Sequence, residues 1–90
     1  MHYLYILCSE KSGRYYVGQT QNVKNRLSKH NKGHSEATKN GIPWGLKKVI
    51  EFESKSDALK AEKWLKSMKS RRVTKQVIEG EIDLFKMIGD

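Results

Sequence analysis

Cysteine, proline and long apolar runs are scarce in this chain of 90 residues. The single cysteine, Cys8, excludes an internal disulfide and fits a reducing compartment, so we interpret it as an inert core thiol. The longest apolar run, residues 3–8, falls far short of the roughly 20 residues that a membrane-spanning helix needs. The first ten residues also lack the pattern of a secretion signal. We therefore expect a cytoplasmic protein without a membrane partner.

Negative charge is the second scarcity. Aspartate and glutamate number 10 against 18 lysines and arginines, which gives a formal net charge of +8. On so short a chain this excess favours an anionic partner, and nucleic acid before an anionic membrane. The length predicts a single domain, residues 1–90, with one small core.

The apolar pattern predicts three strands followed or separated by helices. The strands are expected at residues 3–8, 14–19 and 44–52, and the helices at 23–31, 57–69 and 70–79, with an amphipathic tail at 82–88 docked on the core. Asn22 is the expected N-cap of the first helix, and Ser56 or a neighbour that of the second. The order β-β-α-β-α-α predicts an α+β fold, with a small three-stranded, mostly antiparallel sheet flanked by helices.

Glu62 interrupts the apolar stripe of the second predicted helix. It lies four residues after Ala58 and three before Leu65, and residues at this spacing share a helix face. A carboxylate at the buried edge is costly unless it is paired or binds a metal. The helix pattern alone favours a salt bridge with a lysine or arginine over a metal site.

Arg26 and His30 lie four residues apart on the first predicted helix and therefore share a face. Taken alone, they are typical of a partly exposed basic surface. Arginine can also bind a phosphate through two hydrogen bonds, and histidine can accept or donate a proton near neutral pH.

Two tyrosines of the predicted hairpin are the remaining candidates. A turn near Glu10 and Lys11 would place Tyr5 opposite Tyr16, with Gly18 close by. Such an aromatic pair can simply stabilise the hairpin. Glycine would also leave room for a phosphate beside the phenols.

Together these residues suit the hydrolysis of a phosphodiester. A lone carboxylate can hold one divalent cation that keeps several of its waters. A guanidinium can balance the charge that develops on phosphorus. Tyr5, Tyr16 or His30 can take the proton from the attacking water. A Walker-type GxxxxGK[ST] loop and cysteine pairs for structural zinc are both missing from the sequence.

The motifs Tyr3-Leu4-Tyr5 and Tyr16-Val17-Gly18, followed by Arg26, His30 and Glu62, resemble those of the GIY-YIG nucleases, in their small single-domain bacterial form. The resemblance implies a metal-dependent DNA endonuclease whose catalytic residues are Tyr5, Tyr16, Arg26, His30 and Glu62. It also implies that Glu62 binds one Mg²⁺ or Mn²⁺.

The expected nucleic-acid contacts are Gly18 and a set of basic residues: Lys39, Lys66, Lys69, Arg71 and Arg72. The alternative function is a non-catalytic basic module that binds nucleic acid on the same scaffold. The sequence leaves open whether the DNA is duplex, single-stranded or branched. It also leaves open a homodimer, a targeting partner and a role in DNA repair.

Overall fold

A computed structural model describes residues 1–89 of the chain. The elements in chain order are β1 His2–Ser9, β2 Tyr15–Thr20, α1 Val23–Asn31, a 3₁₀ turn Lys39–Gly41, β3 Trp44–Phe52, α2 Lys55–Met68, α3 Arg71–Ile78 and α4 Leu84–Ile88. The predicted strands and helices are confirmed, and the tail contains the short helix α4. The 3₁₀ turn lies in a segment that was expected to be irregular.

The three strands form one antiparallel sheet in the order β2-β1-β3, which confirms the predicted α+β fold. β1 is the central strand and reads as a nearly continuous apolar run because both of its faces are covered. Leu4 and Ile6 join the main apolar cluster beneath α2, α3 and α4, whereas Tyr5 and Leu7 join a second cluster on the opposite face. That second face carries the candidate site.

The predicted hairpin register is wrong by two residues. Tyr5 lies opposite Gly18, and Tyr16 lies opposite Leu7 rather than Tyr5. The turn is centred one residue later than expected, because the Ser9 hydroxyl accepts the backbone N–H groups of the next turn residues and Gly13 adopts a φ of +77°. Moving the centre of a hairpin by one residue moves its pairing by two.

Side-chain caps set the starts of the helices. The Asn22 side chain accepts the N–H of Asn25, as predicted, and α1 is followed by Gly33 with a φ of +79°. Ser54 rather than Ser56 caps α2, so this helix begins two residues earlier than expected. Across residues 1–89, no helix has the length and apolar character needed to cross a bilayer.

Candidate active site

A buried hydrogen bond between Tyr5 and His30 lies at the centre of the candidate site. The Tyr5 hydroxyl is 2.9 Å from His30 Nε2, and each residue is only 1% exposed. β1 supplies the phenol and α1 supplies the imidazole. Burial raises the pKa of Tyr5 to about 12, so the phenol stays protonated at neutral pH. Burial, with the Arg26 charge as a second cause, lowers the pKa of His30 and favours the neutral imidazole.

Arg26 and Tyr16 border the same pair of residues. The positive charge of the nearby Arg26 guanidinium lowers the pKa of Tyr5, against the larger effect of burial. The ring of Tyr16 meets His30 edge-on, with centroids 4.9 Å apart. Tyr16, Arg26 and His30 line one cleft with Lys29, His34 and Ser35. The structure therefore brings together four of the five residues expected to be catalytic.

Gly18 acts through Tyr5 rather than by leaving space for a phosphate. It is buried, and a Cβ atom at this position would lie 2.5 Å from the Tyr5 hydroxyl. The phenol fills the space that the missing side chain leaves. The expected direct contact between Gly18 and nucleic acid does not fit this packing.

Glu62, the fifth expected residue, is connected to the site by a salt bridge with Lys66, which in turn lies over Tyr16. Its side chain is 18% exposed and pairs with Lys66 across 2.9 Å, one helical turn later on α2. The Lys66 ammonium lies 5.5 Å from the centre of the Tyr16 ring. Glu62 is also close enough to Tyr5 for its charge to contribute to the raised pKa of that phenol. Glu62 thus faces the tyrosines, and the salt bridge that the helix pattern favoured is present.

The acidic residues available to a cation are few. In the described part of the chain, no three His, Cys, Asp or Glu side chains form a group that could hold a metal ion. Glu62 would be the one protein ligand, with water and phosphate oxygens completing the shell. Mg²⁺ is commonly bound in this way, through one or two carboxylates and several waters. The donor set is therefore compatible with a single hard cation and unlike a zinc site.

Asn31, Thr38 and Trp44 were not among the expected site residues, but they hold His30 in place. Thr38 Oγ1 lies 2.7 Å from His30 Nδ1, and the Thr38 carbonyl accepts the indole N–H of Trp44 at 2.7 Å. The Asn31 side chain binds both backbone groups of Trp44. The sequence shows that His30 and Asn31 are adjacent. It does not show that Thr38 and Trp44 are their hydrogen-bond partners.

A basic groove runs along β2 on the other side of Tyr16. Its lining includes Tyr15, Tyr16 and four cations: Arg14, Lys66, Lys69 and Arg71. Arg71 also stacks on the ring of Tyr15, 4.4 Å from its centre, and donates a hydrogen bond to the Gly13 carbonyl. Three of the expected nucleic-acid contacts therefore lie in this groove. Lys39 lies in the loop after α1, where Glu36 pairs with it across 3.2 Å, and Arg72 is exposed on α3.

Residues 1–76 match the GIY-YIG catalytic domain. The chain belongs to the GIY-YIG family. The resemblance inferred from the tyrosine and glycine motifs is thereby confirmed, and the fold is that of a nuclease family whose members are generally endonucleases acting on nucleic acid.

Relatives of the same size support this assignment. A UPF0213 protein of Limosilactobacillus reuteri is 36% identical, with 96% of this chain and 92% of the relative covered. A UPF0213 protein of Halobacterium salinarum is 36% identical over 76% of this chain and 88% of its own length. The solution NMR structure of a UPF0213 protein from Bacillus halodurans has a TM-score of 0.56 at 35% identity, with coverage of 87% and 82%. None of these names states an activity.

Proposed function

We propose that the protein is an endonuclease that hydrolyses phosphodiester bonds in DNA with one divalent cation, Mg²⁺ or Mn²⁺. The observation that carries the proposal is the convergence on the Tyr5 phenol. His30 lies at hydrogen-bonding distance from it, and Arg26, Tyr16 and Glu62 all perturb its pKa. A perturbed titratable group beside a cleft, with partners from β2, α1 and α2, is typical of a catalytic site.

The proposed proton path begins at a water in the cleft and ends at His30. Tyr16 is less buried than Tyr5 and borders the cleft, so its hydroxyl orients the water. As Tyr5 takes a proton from the water, its own proton passes to Nε2 of the neutral His30. The hydroxide attacks phosphorus, the bond to the 3′ oxygen breaks, and the leaving 3′ oxygen takes a proton from solvent water, which leaves 5′-phosphate and 3′-hydroxyl ends.

Positive charge supports the transition state from both sides of Tyr16. Arg26 would bind a non-bridging phosphate oxygen from the cleft side, where its guanidinium already acts on Tyr5. A cation held by Glu62, when bound, would stabilise the leaving oxygen as a Lewis acid. The groove cations, with Arg72 outside the groove, would bind flanking phosphates and fix the strand.

A second candidate is a non-catalytic module that binds nucleic acid. The Lys66–Glu62 pair favours it, since Lys66 neutralises the one carboxylate that would otherwise repel phosphates at this place. The same pair is compatible with catalysis if Lys66 moves to a phosphate when a cation binds Glu62. The two candidates therefore differ in what happens when Glu62 loses its charge.

Cleavage assays separate the two candidates. Duplex, single-stranded and branched DNA are incubated with the wild-type protein, with Mg²⁺, Mn²⁺ or EDTA. We expect cation-dependent cleavage that Glu62→Gln abolishes, while binding measured by fluorescence anisotropy persists. Glu53→Gln, an exposed carboxylate at the start of the turn before α2, is the matched control and retains activity. Binding without cleavage of any of the DNA forms, with either cation, would support the non-catalytic module instead.

A further inference from the structure

Both nitrogens of the His30 imidazole lie at hydrogen-bonding distance from a hydroxyl group, and these contacts determine the tautomer of the ring as well as its position. Nε2 lies 2.9 Å from the Tyr5 hydroxyl, and Nδ1 lies 2.7 Å from the Thr38 hydroxyl. A neutral imidazole has one N–H and one bare nitrogen, so one neighbour must donate a hydrogen bond to it and the other must accept one. The direction of these two hydrogen bonds decides whether Tyr5 can give its proton to His30.

The surroundings of Tyr5 select one direction. Of the two hydroxyls on the ring, the Tyr5 phenol is the stronger acid and therefore the better hydrogen-bond donor, whereas the Thr38 alcohol is the better acceptor. The Tyr5 O–H then needs an acceptor, and among residues 1–89 the side chain at hydrogen-bonding distance is His30. Were Nε2 protonated, the better donor of the two hydroxyls would have to act as the acceptor, and the Tyr5 proton would lack a partner in a buried position.

We propose that Thr38 is a positioning residue that accepts a hydrogen bond from Nδ1–H of His30 and so keeps Nε2 bare toward Tyr5. This inference rests on the proposed function for its kinetic consequence, but not for its structural content. A proton can pass from Tyr5 to His30 only when Nε2 is bare. Thr38 therefore determines whether the buried pair can accept a proton, although Thr38 itself touches neither water nor substrate.

The attachment of Thr38 to the fold supports this role. Thr38 is 0% exposed, its N–H binds the Ser35 carbonyl, and its own carbonyl accepts the indole N–H of Trp44. Trp44 is tied in turn to Asn31, the residue next to His30. The hydrogen bonds form a closed ring from α1 through the loop to β3 and back to α1. Such second partners of a functional histidine fix both its ring orientation and its tautomer.

The first test reads the tautomer directly. The protein is labelled with ¹⁵N-histidine, and the ring nitrogens of His30 are recorded at pH 8, with His2→Gln and His34→Gln variants used for assignment. We expect a protonated Nδ1 and a bare Nε2. A protonated Nε2 in the wild-type protein would overturn the proposal, and this result does not depend on any nuclease activity.

Variants of Thr38 provide the second test. Thr38→Val keeps the shape of the side chain but removes the acceptor, and we expect the His30 signals to shift toward a mixture of tautomers. Thr38→Ser restores the hydroxyl and the wild-type spectrum. Thr74→Val is the matched control, because Thr74 is 7% exposed and its hydroxyl donates to the Ser70 carbonyl rather than bonding to His30. An unchanged His30 spectrum in Thr38→Val would contradict the proposal.

The kinetic arm connects the tautomer to the reaction. In Thr38→Val, kcat is expected to fall roughly 10- to 100-fold with KM changed less than about twofold, and Thr38→Ser should recover most of the loss. A fall in kcat that Thr38→Ser does not recover would show a structural role only. If the wild-type protein shows the predicted tautomer but cleaves no DNA, the proposed function fails while the assignment of Thr38 stands.

Discussion

On one face of β1, Leu4 and Ile6 pack among aliphatic side chains of α2, α3 and α4. On the other face, Tyr5 packs against the His30 imidazole and the Tyr16 phenol. Both faces are fully buried, yet the first is stabilised by apolar area and the second depends on directed hydrogen bonds. One strand thus packs Leu4 and Ile6 into the apolar core and, on its other face, places Tyr5 in the proposed site.

The largest effect is expected on the apolar face. Ile6→Ala removes a side chain that is 0% exposed and should lower the free energy of unfolding by about 2–5 kcal/mol, through lost burial and the cavity left behind. Urea denaturation measures the change. Cleavage per folded molecule should stay close to wild type, because Ile6 points away from His30. Val49→Ala, at a position 39% exposed, is the control, with an effect within about 0.5 kcal/mol.

Tyr5→Phe should have the opposite pattern to Ile6→Ala, with a small change in stability and a large loss of cleavage activity. The phenylalanine ring would still fill the space beside Gly18. The free energy of unfolding should therefore fall by only about 1 kcal/mol, because one hydrogen bond is lost. The cleavage rate should fall at least about 100-fold, since the proton path through the phenol is lost. Tyr15→Phe, on the adjacent residue of β2, serves as the control. Comparable rates for the two variants would remove Tyr5 from the mechanism.

Stability should depend on pH through His30, which packs against the Tyr5 face of β1. The pKa of His30 is lowered in the folded protein, mainly by burial and further by Arg26. Between the folded-state pKa and pH 6.5, the unfolded chain therefore binds more protons at His30 than the folded protein does. The free energy of unfolding that is present above pH 6.5 should be lost as the pH falls through the folded-state pKa. The slope from this group is at most about 1.4 kcal/mol per pH unit.

Chemical denaturation at several pH values tests this dependence. His30→Gln should flatten the curve between pH 7.5 and pH 5, whereas His34→Gln, an exposed histidine lining the same cleft, should not. The other charged or titratable groups around His30 are Tyr5, Tyr16, Arg26 and Lys29, and they remain in both variants. Equal slopes in the two variants would assign the dependence to other groups.

The smallest effect is expected at Lys66, a residue of α2 that pairs with Glu62 and lies over the Tyr16 ring. Lys66→Ala frees the Glu62 carboxylate, and Mn²⁺ binding, measured by calorimetry, should tighten up to about fivefold, as expected for a partly exposed pair worth at most about 1 kcal/mol. DNA affinity should weaken, with a salt dependence smaller by about one phosphate contact. Lys60→Ala, an exposed lysine of the same helix, is the control. Weaker Mn²⁺ binding in Lys66→Ala would contradict this interpretation.

Local patterns predicted most of the fold. The bounds of α1 and β3 follow directly from apolar spacing and from the Asn22 cap. The hairpin register could not be predicted in the same way, because it depends on how Ser9 and Gly13 shape the turn. An error of one residue at that turn was enough to pair Tyr5 with the wrong partner.

The candidate site was predictable to the extent that its residues carry chemistry of their own. Arg26, His30 and the tyrosines stand out by type and spacing. The fold brings Tyr16, Arg26 and His30 to one cleft, with Tyr5 buried against His30. Thr38 has no such signal, because a threonine in a polar loop is ordinary and its importance comes from a contact with His30, eight residues earlier. A salt bridge of Glu62 with a lysine or arginine was predicted from the helix pattern, but the sequence left open which residue would be the partner, and the structure identifies Lys66.

The loop between α1 and β3 combines an anchored residue with exposed neighbours. Thr38 points inward and is tied to Trp44, whereas Glu36 and Ala37 are exposed and follow Ser35, a residue that lines the cleft. The two outer positions can therefore be altered without disturbing the imidazole beneath. Under the proposed function, three consecutive residues would thus separate the choice of substrate, at Glu36 and Ala37, from the positioning of His30 by Thr38.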